Sequence, residues 1–252
     1  MFLPVSDNNR RIWISYHYVT LALIAANVAV FTLQTIGTED DFNRLMYGLG
    51  MIPAVVTGDA RLDPGLSLLP PALTLLTSMF LHGGIGHLAG NMLFLWVFGD
   101  NIEDSMGHGR FLGFYLLSGV IASLVQIMVD AGSQVPVIGA SGAVSGILGA
   151  YFVLHPRVQV WVLAFAIIPV RLPTFVVLGL WIGMQLVMSL TTAEGEPETV
   201  AWWAHIGGFF GGAALIRYFR YPHVPLWDTS KDGELKVGGL RFRGRTKGSD
   251  DA

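Results

Sequence analysis

Six apolar stretches, at about 17–36, 86–104, 111–129, 139–155, 172–191 and 202–219, constrain most strongly what this chain can fold into. A helix needs about 20 residues to cross a hydrocarbon core of roughly 30 Å, and these stretches reach or approach that length. Inside lipid every backbone polar group must find a partner, which leaves helices or a closed barrel. The alternating strands of about 10 residues that a barrel requires are absent. With 52% hydrophobic and 13% charged residues over 252 positions, an ordinary water-soluble domain is excluded. The sequence predicts an all-α membrane protein with six transmembrane helices, embedded in a lipid bilayer.

The connections refine this picture. Residues 1–16 are expected to form a cytoplasmic lead, 17–220 the helical domain, and 221–252 a polar cytoplasmic tail expected to be mobile. The lead carries Arg10 and Arg11 but no apolar core with a small-residue cleavage site, so the first helix is expected to be retained. A long connection, 37–84, opens with Glu39, Asp40 and Asp41 and places Phe42, Leu45, Met46 and Leu49 at helical spacing. It ends in the apolar run Leu73–Leu81, too short to span and expected to lie in the interface or re-enter the bilayer. Val158–Val170, broken by Pro169, reads as an extra turn below the fifth helix.

Arg10, Arg11, Arg110, Arg157, Arg171 and the basic residues of the tail fall on one side of such a bundle, against Arg44 and Arg61 on the other, so both termini are expected in the cytoplasm. The chain has no cysteine, which excludes disulfides, thiolate metal sites and a cysteine nucleophile. Acidic and basic residues mix in the tail, and nucleic acid is not an expected partner.

Polar residues inside apolar helices are costly and default to a functional reading. The second, fourth and sixth helices start on the same, outer face, and each carries its polar residues in its first turns: His87 and Asn91, Ser141, and His205. They occupy one depth, roughly 5–10 Å below the helix starts. Gly142 and Gly146 on the fourth helix and Gly208 and Gly212 on the sixth allow close backbones, which would bring Ser141 to His205. A serine hydroxyl becomes a competent nucleophile when a neighbouring imidazole takes its proton. Candidate donors for an oxyanion are the Ser141 backbone N–H, Asn91 and His87. No carboxylate lies at this depth, which leaves a Ser–His pair without the orienting acid of a triad.

The segments Gly139-Ala140-Ser141-Gly142, His82-x4-His87-x3-Asn91, Gly99-Asp100-Asn101-Ile102-Glu103-Asp104 and Ala204-His205-Ile206-Gly207-Gly208 resemble the rhomboid family of intramembrane serine proteases over about residues 70–220. The resemblance implies six helices, Ser141 as nucleophile, His205 as base, and His87 and Asn91 assisting at the oxyanion. It also implies transmembrane protein substrates cut near the outer end of a span, with water and no cofactor. An integral, prokaryotic inner-membrane location is expected, with the site opening outward, and by analogy the loop Glu194–Val200 gates lateral access with the fifth helix.

Two departures stand out. Leu73-Thr74 replaces a Trp-Arg pair frequent in the first outer loop, and Ser145 replaces an aromatic one turn after the serine. Ser145 is expected either to hydrogen-bond His205 or to leave room for Trp202 or Trp203 to hold the ring. Gly139, Gly142, Gly146, Gly208, Gly212 and Ser145 are read as structural support. Glu103 and Asp104 are expected to make a helix-end network with Arg110, and His82 a structural hydrogen bond. The competing classes are a non-catalytic membrane protein that binds or escorts clients, a transporter, and a metal site from His82, His87 and His205. That last set lacks a carboxylate ligand and has unsuitable spacing.

Overall fold

The computed structural model describes residues 2–164, 167–191, 200–228, 234–237 and 240–243. In chain order these form β1 (Phe2–Asp7), α1 (Tyr18–Thr35), α2 (Glu39–Leu49), α3 (Pro53–Thr57), α4 (Thr74–Thr77), α5 (Ile85–Met106), α6 (His108–Val129) and α7 (Ser141–Leu154). There follow β2 (Gln159–Ala164), β3 (Ile168–Pro173), α8 (Thr174–Thr191), α9 (Trp202–Phe219), β4 (Glu234–Val237) and β5 (Leu240–Arg243). The protein is mostly helical, and each stretch read as a long apolar helix folds as one.

Among the described residues α1, α6 and α8 are long and apolar enough to cross a membrane. The segment Pro71–Phe80 and α5 together make a fourth candidate, bent by 81° at the residues between them. That bend separates the short Leu73–Leu81 run from α5. The acidic opening of the long connection caps α2: the Thr38 hydroxyl accepts from the Asp41 N–H, and the Asp41 carboxylate accepts from the Thr38 N–H.

The core forms where α7 passes between its neighbours. From Gly142 to Tyr151 every residue of α7 is buried, because glycine and alanine let three helices approach at backbone distance. The sequence reading set Gly142 and Gly146 against the sixth helix, and the structure divides the task differently. A Cβ at Gly142 would lie 2.7 Å from Ala122 Cβ and one at Gly146 2.4 Å from Ser118 Cβ, so these two admit α6. Gly208 and Gly212 admit α7: a Cβ there would sit 2.1 Å from the Gly142 and Gly146 carbonyl oxygens respectively.

The region 158–170 differs from expectation. Instead of an extra helical turn it forms the β2–β3 hairpin, and β1 from the polar lead pairs with β2 to complete a three-stranded antiparallel sheet in the order β1-β2-β3. Val158, Val160, Val162 and Ala164 are buried while Trp161 stays 41% exposed. This period of two is that of a strand, and Pro169 and Pro173 disfavour continuing a helix through it.

The lead is held at the end of the bundle remote from Ser141. Asp104 accepts from the N–H groups of Ile12, Trp13 and Ile14 at 2.7–2.8 Å. Glu103 accepts from the N–H groups of Val19 and Thr20 and from the Thr20 hydroxyl. Since α1 has no side-chain cap of its own, Glu103 supplies acceptors for its free first-turn donors. The expected partner Arg110 instead lies over the Tyr221 ring, and His108 pairs with Glu103. Tyr151 donates to Asp7 at 2.6 Å, tying β1 to α7. The acidic loop read as a gate lies outside the described residues except for Val200. So does the tail beyond 228, apart from the β4–β5 pair.

His155, just beyond α7, is 6% exposed, packs edge-on to Tyr151, and neither of its ring nitrogens has a hydrogen-bond partner among the described residues. Burial pushes its imidazole from 6.5 down to about 4, against a smaller upward pull from Asp228. The unfolded chain therefore takes up a proton near pH 6.5 that the folded chain refuses until about 4, and stability falls as the pH drops through that window. The expected result is that the unfolding midpoint of wild type drops more than that of His155→Phe between neutral pH and about pH 5. Equal drops would contradict this assignment.

Candidate active site

The site begins at the turn into α7. Gly139 has φ +114°, a conformation that L side chains rarely adopt, and its N–H donates to the Ser78 carbonyl at 2.8 Å. A Cβ here would lie 2.7 Å from two atoms of the His87 ring. Only glycine lets the chain pass beneath His87 and deliver Ser141 as the first residue of α7. The helix start has no side-chain cap, so its N–H groups and the positive end of its dipole face the site.

The close contact of α7 and α9 brings Ser141 and His205 together, with Oγ 2.8 Å from Nε2. The other ring nitrogen, Nδ1, lies 2.8 Å from Oε1 of Gln185 on α8. Trp202 meets the imidazole edge-on at 6.2 Å between ring centroids, and Trp181 of α8 lies at 6.0 Å with a 38° tilt. Asn91 is 7% exposed, and its side-chain N–H group is buried without an acceptor among the described residues. It sits beside Gly139, its Nδ2 being 3.6 Å from where a Cβ would stand. His87, Asn91, Ser141 and His205 share a cavity of about 990 Å³. The wall continues through Phe94, Leu148 and Trp181 and is completed by Met46 and Tyr47 of α2.

Of the residues singled out in the sequence, the structure gathers His87, Asn91, Ser141 and His205 around one space. Ser145 does not play the hydrogen-bonding part expected of it. It is 1% exposed and its hydroxyl donates to the Ser141 carbonyl at 2.6 Å, the local back-bond that helical serines favour. His82 is fully buried, but its structural bonds are made by the backbone: its N–H donates to Gln34 Oε1, and its carbonyl accepts from Gln34 Nε2. Its ring stacks edge-on against His87 and Phe31. Among the described residues no group of three His, Asp or Glu side chains is placed to hold a metal ion.

Two residues of the site were missed in the sequence, Gln185 and Trp181. The signal for Gln185 was present. It is the one strongly polar residue within the apolar stretch Thr174–Met188, and the rule applied to the other three helices covers it equally.

Chemically, the arrangement pairs a hydroxyl with a basic ring nitrogen in a cavity that holds the Asn91 N–H group, unpartnered among the described residues, and an apolar wall. Comparison with known proteins agrees with this. The profile of the Rhomboid domain matches residues 71–222. Rhomboid protease GluP of Bacillus subtilis (strain 168) is 36% identical over 141 residues, covering 56% of this chain and 25% of that protein. The mitochondrial presenilin-associated rhomboid-like protein of Bos taurus is 31% identical over 180 residues, covering 66% of this chain and 45% of that one. RHOMBOID-like protein 12, mitochondrial, of Arabidopsis thaliana is 29% identical over 241 residues, 87% of this chain and 65% of its own length. The chain thus spans between a quarter and two thirds of the length of these relatives.

Proposed function

Because the chain belongs to the rhomboid family, we propose that it is an intramembrane serine protease that cuts transmembrane proteins near the outer end of a span. The observation that carries the reading is the 2.8 Å contact between Ser141 Oγ and His205 Nε2. His205 takes the hydroxyl proton as Oγ attacks the scissile carbonyl. The resulting oxyanion is received by Asn91, His87 and the Ser141 N–H, and the imidazolium then protonates the leaving amine. Water, activated by the same imidazole, hydrolyses the acyl-enzyme. No step calls for a cofactor.

In this reading six helices cross the bilayer: α1, α5, α6, α7, α8 and α9. The 14 residues of α7 rise only about 21 Å, but a helix enclosed by its neighbours has no lipid-facing length to match. Both termini lie in the cytoplasm by the distribution of arginines, so the cavity opens on the outer side. The protein is a membrane protein, and its relatives include mitochondrial as well as bacterial ones, so the comparisons do not favour a prokaryotic inner membrane over another.

The test is cleavage of a purified single-span substrate by wild type, Ser141→Ala and His205→Ala in detergent. Wild type alone is expected to cleave, and equal products from all three would sink the proposal. Asn91→Ala is expected to lower kcat about a hundredfold with KM nearly unchanged, since the donor acts on charge that develops in the transition state. A rise in KM at constant kcat would instead assign Asn91 to substrate binding.

A further inference from the structure

Resting on the protease reading, we infer that Gln185 is the positioning residue of His205, taking from α8 the place that an acid holds in a catalytic triad. Neutral imidazole has one N–H and one lone-pair nitrogen, and only the form with its lone pair on Nε2 can accept the serine proton. The Gln185 carbonyl oxygen can only accept, so its 2.8 Å contact requires the proton on Nδ1 and leaves Nε2 free to face Ser141 at 2.8 Å. One amide thereby sets both the tautomer and the plane of the ring.

The surroundings explain why this task falls to Gln185. Ser145, which stands one turn after the nucleophile, has its hydroxyl committed to the Ser141 carbonyl. From α6, Gln126 accepts from the Ala204 N–H. Trp181 and Trp202 present their rings, and among the described residues His87 on α5 is the titratable side chain that shares the cavity with His205. An ionised carboxylate at the position of Gln185, which is 2% exposed on an apolar helix, would be desolvated and would need the His205 imidazolium as its counter-ion. A neutral amide orients the imidazole without that requirement. Gln185 is also the one buried residue of α8 beyond Leu178, so the geometry of the base depends on where that half of α8 sits.

A purely structural clamp between α8 and α9 would share the same hydrogen bond, so the test uses readouts that a clamp would not move. Wild type, Gln185→Met and Gln185→Glu are compared as full chains in pH–rate profiles on a single-span substrate, with thermal midpoints measured alongside. Gln185→Met, similar in volume, is expected to lower kcat about a hundredfold with KM within about twofold, because the unproductive tautomer becomes populated. Gln185→Glu is expected to recover activity relative to Gln185→Met. Its acid limb should move up by about one pH unit or more, because a carboxylate stabilises the imidazolium.

Wild-type kcat and an unshifted profile in both variants, with any drop confined to the midpoint, would overturn the inference while leaving the protease reading intact. A wild type that cleaves no better than Ser141→Ala would overturn the protease reading and this role with it. Should Gln185→Met fail to fold, the acid limb of Gln185→Glu decides: a shift supports the assignment, and its absence refutes it.

Discussion

Replacing Ser141 by alanine is expected to lower kcat on a single-span substrate by at least about 10³-fold while leaving the thermal midpoint close to that of wild type. In the proposed mechanism the Ser141 hydroxyl forms the acyl-enzyme, so its loss removes the covalent route. Little else changes, because Ser141 lies partly exposed at the cavity and, among the described residues, its hydroxyl meets only His205. The His205 ring keeps its contacts with Gln185, Trp181 and Trp202. His205→Ala should cost a similar factor, and the double variant should be no worse than either single one, since nucleophile and base act as a unit. Additive losses would mean that the two side chains act independently.

The second large effect is expected from a single methyl group. In Gly212→Ala the new Cβ would stand 2.1 Å from the Gly146 carbonyl oxygen and 2.5 Å from its Cα, well inside van der Waals contact. Both neighbours are backbone, so no rotamer can relieve the clash, and α9 must move away from α7 by about 1 Å or more. Overpacking of this kind costs about 1–3 kcal/mol, occasionally more. The same displacement pulls His205 from Ser141, and a 1 Å misplacement can cost about a hundredfold in rate. Gly212→Ala should therefore lose both stability and activity, though residue 212 lies two turns from His205 and touches no substrate. Gly179→Ala on α8, where nothing lies within 4 Å of the added Cβ, is the control and should be silent in both assays. If Gly212→Ala matched the control, the α7–α9 contact would not be what sets the distance between serine and histidine.

The helices were readable because hydropathy dominates their formation, and α1 and α5 to α9 lie within a few residues of the apolar stretches. The serine, the histidines and Asn91 were readable for a related reason: few polar side chains occur in such helices, and helix starts on one face put them at one depth. What the sequence concealed was pairing. Gly142 and Gly146 carry the small-residue signature of a helix contact, but nothing in that signature says that their Cα faces admit α6 while their carbonyls receive α9. The polar lead gives no local sign that β1 will add to a hairpin more than 150 residues later, since a strand's partner is chosen by the packed bundle beneath it. Ser145 was assigned a bond across helices when the carbonyl of its own preceding turn was nearer. Gln185 carries the same signal as the other site residues, a strongly polar side chain in an apolar stretch, but no spacing rule names its partner, which lies on another helix.

The measurement that bears most directly on the account is the site of modification by a serine-directed fluorophosphonate, mapped by mass spectrometry on the folded protein. A hydroxyl reacts with such a reagent when a base removes its proton, so labelling reads the activation of Ser141 without reference to any substrate. The account predicts a single adduct on Ser141 in wild type and none in His205→Ala. An unmodified Ser141 in wild type, or equal labelling in His205→Ala, would contradict it.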